Sequence, residues 1–438
     1  MSQRVRFNPV DTLIFDVDRT RDPWSVHCEV RVTGRLDAER LAAAATAALR
    51  RHPMARARME PFRSATRRFQ WLIDDHYSAV PLLIAECADD TAVEALRSQL
   101  LSRRIDLHVA PPLSLGLAHH PGGDYLIINL SHVVGDGMSG YRLMTSICRA
   151  YAGVDDPAPD LPLDLVRNLR AHVGSRTIKD ATTRFKGVKG LISESRGPGK
   201  PVRVAIDGGI DNAQGYGFQL LRLGQHDTAQ VMARRQKPAT VNDLLLAGLA
   251  LAVRRFNDRH DVTPGRVSFM MPVNLRPADW SRELVSNIVS FVPVAVSAEH
   301  QCDLGTAQKA VAARTAELKV QRQSGTMVDI LGMTSIWPAG VRHAAVRLSR
   351  GAVVDPILDT AVLSNLGNLP KPLDFGADAG VATELWFSPP ASMPLGTAVG
   401  AATMNDEMFL TIRYCNAQYD KAGAAAFADT YRQVLLHD

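Results

Sequence analysis

The sequence predicts an α/β protein built as two alike lobes, and three observations carry that prediction. Apolar residues switch repeatedly from a spacing of two, which suits strands, to spacings of three and four, which suit helices. A Pro-rich stretch, Asp155-Asp156-Pro157-Ala158-Pro159-Asp160-Leu161-Pro162, and a basic segment holding Gly187, Gly190, Gly197 and Gly199 interrupt that pattern. The halves on either side have similar strand and helix content, and 438 residues suffice for two domains of ordinary size. We expect an N-terminal lobe over 1–175 and a C-terminal lobe over 176–438, each a mixed sheet flanked by helices.

Val26, Cys28, Val30 and Val32 alternate with His27, Glu29 and Arg31, the period of a strand with one buried face, and Gly34 breaks it. A helix follows, capped by Asp37, with Leu41, Ala44, Ala45, Ala48 and Leu49 on its apolar side and Pro53 as its stop. Thr91 and Glu94 form a capping-box pattern ahead of Leu96, Leu100 and Leu101. Leu113, Leu115 and Leu117 lead to Pro121-Gly122-Gly123-Asp124, and the apolar run Tyr125 to Leu130 follows, so the pair reads as a hairpin ending at Ser131-His132. Past Gly137 the period changes: Leu143, Met144, Ile147, Cys148 and Tyr151 share one helical face. In the second half we expect helices near Val241–Phe256, Leu304–Gln323 and Ala422–Leu436. Strands are expected near Val267–Val273, Ile288–Val296, Thr360–Ser364, Glu384–Ser388, Thr397–Thr403 and Met408–Tyr414.

With 46% hydrophobic and 22% charged residues, the chain has the composition of a packed globular protein. The longest strongly apolar stretch, Leu244–Val253, is about half of the roughly 20 residues a membrane span needs, so no transmembrane helix is expected. Arg4 and Arg6 are followed by Asp11, Asp16 and Asp18 before any long apolar core, which is not the layout of a secretion signal. A cytoplasmic location is expected, and five scattered cysteines without a CxxC pair read as reduced, mostly buried thiols. Between Asp164 and Arg203, ten Lys/Arg face three Asp/Glu. That positive field suits a CoA phosphate, an acidic carrier protein or peripheral contact with a lipid surface, as well as a solvated linker. With one aromatic, Phe185, and no binding module, it does not suit nucleic acid.

The chemistry concentrates in His132-Val133-Val134-Gly135-Asp136-Gly137. A histidine at the end of an apolar strand sits on a rigid scaffold, and its ordinary pKa near 6.5 allows it to accept a proton at neutral pH. Asp136 can turn back to fix the loop, and Gly137 offers close backbone approach or an open N–H donor. The bland alternative is a histidine satisfied within the core or at the surface.

These residues resemble those of the CoA-dependent acyltransferase superfamily marked by HxxxDG, which includes chloramphenicol acetyltransferase, condensation domains and bacterial wax ester synthase/diacylglycerol acyltransferases. The likeness spans nearly the whole chain, in family order. Asn8-Pro9-Val10-Asp11 with Phe15 looks like an opening signature, and His52-Pro53 with Arg56 and Arg58 is similar to an early helix end. Asn242-Asp243, Pro272-Val273-Asn274-Leu275-Arg276, Ser286-Asn287 and Ser364-Asn365-Leu366-Gly367 follow. The resemblance implies two chloramphenicol-acetyltransferase-like lobes with an active-site channel at their interface. It also implies His132 as general base, Asp136 as a structural carboxylate and Arg276 as its partner. The implied donor is acyl-CoA or a phosphopantetheine thioester on a carrier protein, and the acceptor is an alcohol or amine. No bound cofactor or metal is needed, because a thioester is already activated. Gly137 is a candidate oxyanion donor. Asn287, Ser364, Asn365 and Ser388 are candidate substrate-binding residues that fall where turn and cap residues also fall. Ser131 stands where the wax ester branch and most condensation domains have a first histidine, which weakens assignment to wax or triacylglycerol synthesis.

Two rivals stay open: a condensation enzyme forming amides from carrier-bound amino acids, and a catalytically silent binding module. Other signals are poor. Gly197-Pro198-Gly199-Lys200 lacks P-loop spacing, Asp374-Phe375-Gly376 lacks the companion kinase motifs, and His119-His120 read as a hairpin end.

Overall fold

The computed structural model describes residues 3–18, 22–75, 77–157, 161–173, 177–178, 180, 182, 200–280, 283–320, 323–348, 359–369 and 371–438. The expected boundary at 175/176 and most of the basic crossover segment lie outside the described residues.

Two mixed sheets form the scaffold. The first has five strands in spatial order Ala382–Ser388, Ser25–Val32, Tyr125–Ser131, Leu113–His119 and Leu82–Glu86; the last two are parallel and the other neighbours antiparallel. The second has six, in the order Val289–Val296, Val267–Asn274, Ala361–Leu369, Thr397–Met404, Glu407–Cys415 and Tyr216–Leu223. Ala361–Leu369 runs parallel to both of its neighbours. A small antiparallel sheet joins Gln3–Arg6, Gln70–Ile73 and Ala57–Met59.

The expected hairpin forms as predicted, with Leu113 opposite Leu130 and Leu117 opposite Leu126. Helix Ala38–Arg51 is capped by Asp37, which accepts from the Arg40 N–H at 2.7 Å, and its five predicted apolar residues are buried. Helix Asp90–Leu101 is capped by Asp89 rather than by Thr91: the Asp89 carboxylate reaches forward to accept from the Ala92 N–H at 2.9 Å, and Thr91 already lies within the helix. The second expected helix of the second half, Leu304–Gln323, ends at Val320, and a further helix starts at Gln323. Of the five free cysteines, four are buried and Cys302 is exposed.

Two differences from the expected pattern matter for the site. Strand Ser25–Val32 is buried on both faces, not one. Helix Gly137–Ala152 packs Gly140 against Val26 and Cys28 on the apolar face. On the other face, Arg97 of helix Asp90–Leu101 donates twice to the Glu29 carboxylate, at 2.6 Å each, and His27 Nε2 lies 3.0 Å from it. Burial alone would raise the Glu29 pKa, but Arg97 and His27 bring it down to about 2. Alternation predicts the direction of each side chain, whereas paired charges allow the polar face to be covered.

The second difference is strand Ala382–Ser388, which pairs antiparallel with Ser25–Val32 in the five-stranded sheet, away from the other late strands. It crosses Thr397–Met404 so closely that a Cβ added at Gly400 would lie 1.8 Å from the Phe387 carbonyl oxygen. Nearby, the buried Arg413 of the six-stranded sheet donates to the Ser25 carbonyl at 2.6 Å and stacks its guanidinium 3.8 Å from the Tyr216 ring. Gly400→Ala is therefore expected to lower stability by about 3 kcal/mol, measured by urea denaturation; an unchanged midpoint would show that the two sheets separate at little cost.

Candidate active site

His132 leaves the end of strand Tyr125–Ser131, and helix Gly137–Ala152 opens at Gly137. Between them Asp136 is the helix cap. Its Oδ1 accepts from the Ser139 N–H at 3.0 Å and the Ser139 hydroxyl at 2.9 Å. Arg276, just past strand Val267–Asn274, reaches the same carboxylate in a fork: Nη1 to Oδ2 at 2.7 Å and Nη2 to Oδ1 at 2.8 Å. The Ile288 N–H donates to Oδ2 at 3.0 Å, and Arg276 Nη2 also holds the Ser286 carbonyl at 2.8 Å. Burial would raise the Asp136 pKa, but the Arg276 charge and these donors hold it below the ordinary carboxylate range.

That clamp bends the loop so that Gly135 faces the histidine. His132 Nδ1 donates to the Gly135 carbonyl at 3.0 Å, since a carbonyl can only accept. Nε2 of the neutral ring is thereby left as the proton acceptor. The ring's pKa is lowered, first by burial and against the pull of Asp136 and Gly135, so the neutral form persists below the usual histidine range. His132 keeps partial solvent exposure. Its N–H is tied to the Trp24 carbonyl at 2.9 Å, and the two rings lie near-parallel with centroids 6.5 Å apart. The Trp24 indole N–H is buried and has no acceptor among the described residues.

Asn287 is fully buried, and its Nδ2 donates to the carbonyls of His132 at 2.7 Å and Val133 at 3.0 Å and to Asp11 Oδ1 at 3.1 Å. Its donors are engaged by the loop, which makes it a brace for His132, while its Oδ1 is buried with no hydrogen-bond partner among the described residues. Asp11 belongs to the opening Asn8-Pro9-Val10-Asp11 motif. It also binds Arg167 and accepts from the Trp71 indole at 3.1 Å, while Arg167 donates to the Ser286 hydroxyl at 2.9 Å. Sequence reasoning noted the Asn-Pro-Val-Asp string but gave Asp11 and Arg167 no role at the site.

The other candidates divide. A Cβ on Gly137 would lie 2.7 Å from the Phe387 ring and 3.1 Å from Leu366, so only glycine fits there. Ser364 and Asn365 are half-buried on the strand that carries Leu366. The Ser364 hydroxyl has no hydrogen bond among the described residues, and Asn365 Oδ1 accepts from the Gly367 N–H at 2.8 Å. Ser388 is fully buried and its hydroxyl lies 3.3 Å from His27 Nδ1, within the polar network under the sheet rather than at an open surface. His119 closes its hairpin against Asp124 at 2.7 Å. At the same end of the five-stranded sheet as His132, a cleft of about 520 Å³ is lined by Leu82, Leu113, Leu115, Arg103 and Arg104. Arg104 pairs at 2.7 Å with Asp18, whose carboxyl is raised by burial against the pull of Trp24, Arg104 and His132.

A two-sheet scaffold with a strand-end histidine braced by a buried carboxylate–guanidinium pair is also the fold of condensation domains and of an O-acetyltransferase among solved structures. A family model described as the condensation domain matches residues 15–168, the stretch containing His132 and Asp136. The chain belongs to one family with a relative whose whole length it matches. It is 35% identical, over 441 residues covering 100% of both chains, to an uncharacterized protein found in two strains of Mycobacterium tuberculosis. Among solved structures, a variant starter condensation domain of rhizomide synthetase, in complex with C8-CoA and Leu-SNAC, superposes with a TM-score of 0.71 at 14% identity. The match covers 99% of this chain and 95% of that one. The first condensation domain of the calcium-dependent antibiotic synthetase, in complex with a substrate analogue, gives 0.71 at 14% identity, covering 99% and 97%. The trichothecene 15-O-acetyltransferase of Fusarium sporotrichioides gives 0.70 at 10% identity, covering 99% and 95%. At these identities the superpositions establish the fold.

Two outcomes follow from the clamp. Arg276→Ala leaves a buried carboxylate unpaired and is expected to lower stability by about 3–5 kcal/mol in urea denaturation. Because the Asp136 pKa is depressed on folding, its pairing stabilises fully above the carboxylate range of the unfolded chain and is lost as pH falls through the folded-state value. Asp136→Asn is therefore expected to be less stable at neutral pH and to lose less stability than the parent on acidification; parallel stability–pH curves would contradict the pairing.

Proposed function

We propose that this protein transfers an acyl group from a CoA or carrier-protein thioester to an alcohol or amine, with His132 Nε2 as general base. The observation that carries the proposal is the Nδ1–H bond to the Gly135 carbonyl, which keeps Nε2 unprotonated at the rim of the site. In the step envisaged, the acceptor O–H or N–H gives its proton to Nε2 while its lone pair attacks the thioester carbonyl. The tetrahedral oxyanion then collapses, the carbon–sulfur bond breaks, and the departing sulfur takes the proton back from His132. The products are an ester or amide and a free thiol, formed in a ternary complex without an acyl-enzyme.

Gly137 stands at the N-terminal end of a helix, where the dipole favours negative charge, and its backbone N–H is proposed as an oxyanion donor worth about 3 kcal/mol. The Ser364 hydroxyl, Asn365 and the Trp24 indole N–H are proposed to orient the substrates. The apolar cleft beside Arg104 suits an acyl chain of the kind found in lipid or natural-product biosynthesis. We propose 1–175 and 176–438 as the two lobes, the second lending strand Ala382–Ser388 to the sheet of the first, and the cytoplasm as the location; no helix among the described residues is long and apolar enough to cross a membrane.

The test is product formation from acyl-CoA and carrier-bound donors with alcohol and amine acceptors, read by mass. His132→Ala is expected to reduce turnover by about a hundredfold to ten-thousandfold with an unaltered melting curve. The lowered His132 pKa places the acid limb of the pH–rate profile below that of a free imidazole. Undiminished turnover in the variant would remove His132 as the base.

A further inference from the structure

Helix Gln323–Thr334 turns sharply into helix Ala339–Leu348, and the tip of this pair is apolar on the outside. Met333, Ile336, Trp337 and Val341 are 49%, 51%, 48% and 51% exposed. Isolated exposed apolar residues are ordinary, but four within nine residues, including a tryptophan, form a patch. The tip is shaped from within by the buried Arg342, which binds the Trp337 carbonyl, donates to the Ser335 and Arg67 carbonyls at 3.4 Å each, and pairs with Asp16 at 2.8 Å.

Beside the tip runs a loop with exposed Arg63, Arg67 and Arg68. It is fastened by the Ala339 N–H to the Thr66 carbonyl at 2.8 Å and the Gly340 N–H to the Ser64 carbonyl at 2.9 Å. No carboxylate pairs with Arg63, Arg67 or Arg68 among the described residues. The sequence contains no Asp or Glu from 61 to 73 or from 330 to 354. The surface thus joins an aromatic and aliphatic tip to a cationic rim with no acid in either segment.

We infer that this tip docks on an anionic phospholipid bilayer, with Trp337, Ile336 and Met333 entering the headgroup boundary and the three arginines facing lipid phosphates. A tryptophan among aliphatic residues suits the interface, where one side is apolar and the other wet, and basic side chains add attraction to anionic headgroups. Charge decides between occupants: a second copy of the chain would set these arginines against themselves across a two-fold axis, whereas an anionic membrane neutralises them. Helix Pro9–Asp18 links the tip to the site, since Asp16 binds Arg342 and Asp11 binds Asn287. Docking places the proposed acyl-transfer site near a store of apolar acyl chains, but the surface does not depend on that activity.

The test is flotation of the full chain with vesicles of phosphatidylglycerol and phosphatidylcholine, against phosphatidylcholine alone, with light scattering on the free protein. Binding to anionic vesicles only, weakened by salt, is expected. Ile336→Ser with Trp337→Ser should reduce partitioning on the order of tenfold, and each of R63Q, R67Q and R68Q about fivefold. The arginine variants lie on an exposed loop and keep the test valid should the double variant fail to fold. Equal flotation with neutral vesicles, no flotation, or a dimer that the serine substitutions dissociate would each overturn the inference.

Discussion

The site depends on one buried ion pair, Asp136 with Arg276. Two charges removed from water cost more than their mutual attraction returns unless every remaining lone pair and N–H is also engaged. Here the carboxylate receives five donors, from Arg276, Ser139 and Ile288. Those donors come from helix Gly137–Ala152 and from residues flanking two strands of the six-stranded sheet, so neither half of the chain can complete the arrangement alone. The short Ser286-Asn287 segment lies between this carboxylate and a second one, Asp11. Arg276, held by the first acid, secures its main chain and the second acid secures its amide, and His132 inherits its position from both.

The same logic sets the electrical character of the histidine. A ring beside an ionised aspartate would ordinarily hold its proton more firmly. Asp136 is instead saturated by a guanidinium, and the burial of His132 outweighs what attraction is left. His27, also buried, is kept neutral by burial and lies on the Glu29–Arg97 pair beneath the neighbouring strand. Two histidines on adjacent strands thus share a neutral state but differ in access: one is sealed, the other meets solvent.

Much of this was legible in the residues themselves. The strand period from Val26 to Val32, the Pro-Gly-Gly-Asp hairpin and the helix after Gly137 are local signals, and each formed. The pairing of Asp136 with Arg276 came from resemblance, because no spacing rule joins residues so far apart in sequence. Three features escaped for physical reasons. The half-exposed edge strand Leu82–Glu86 lacks clear alternation, since little of it must be buried. Helix Pro9–Asp18 carries three aspartates, and its stability comes from long-range partners such as Arg167 and Arg342. Asn287 carries the same side chain whether it holds a ligand or a backbone, and only its neighbours distinguish the two.

The destination of Ala382–Ser388 also lay beyond local pattern, because a strand's period says nothing about which sheet receives it. Its insertion beside Ser25–Val32 makes the chain return to its own beginning before it ends. The molecule is therefore stitched rather than hinged: its halves cannot swing apart as a clamshell without tearing a ladder of main-chain hydrogen bonds. Relative movement of the two sheets is thereby confined to small rearrangements of side chains and loops.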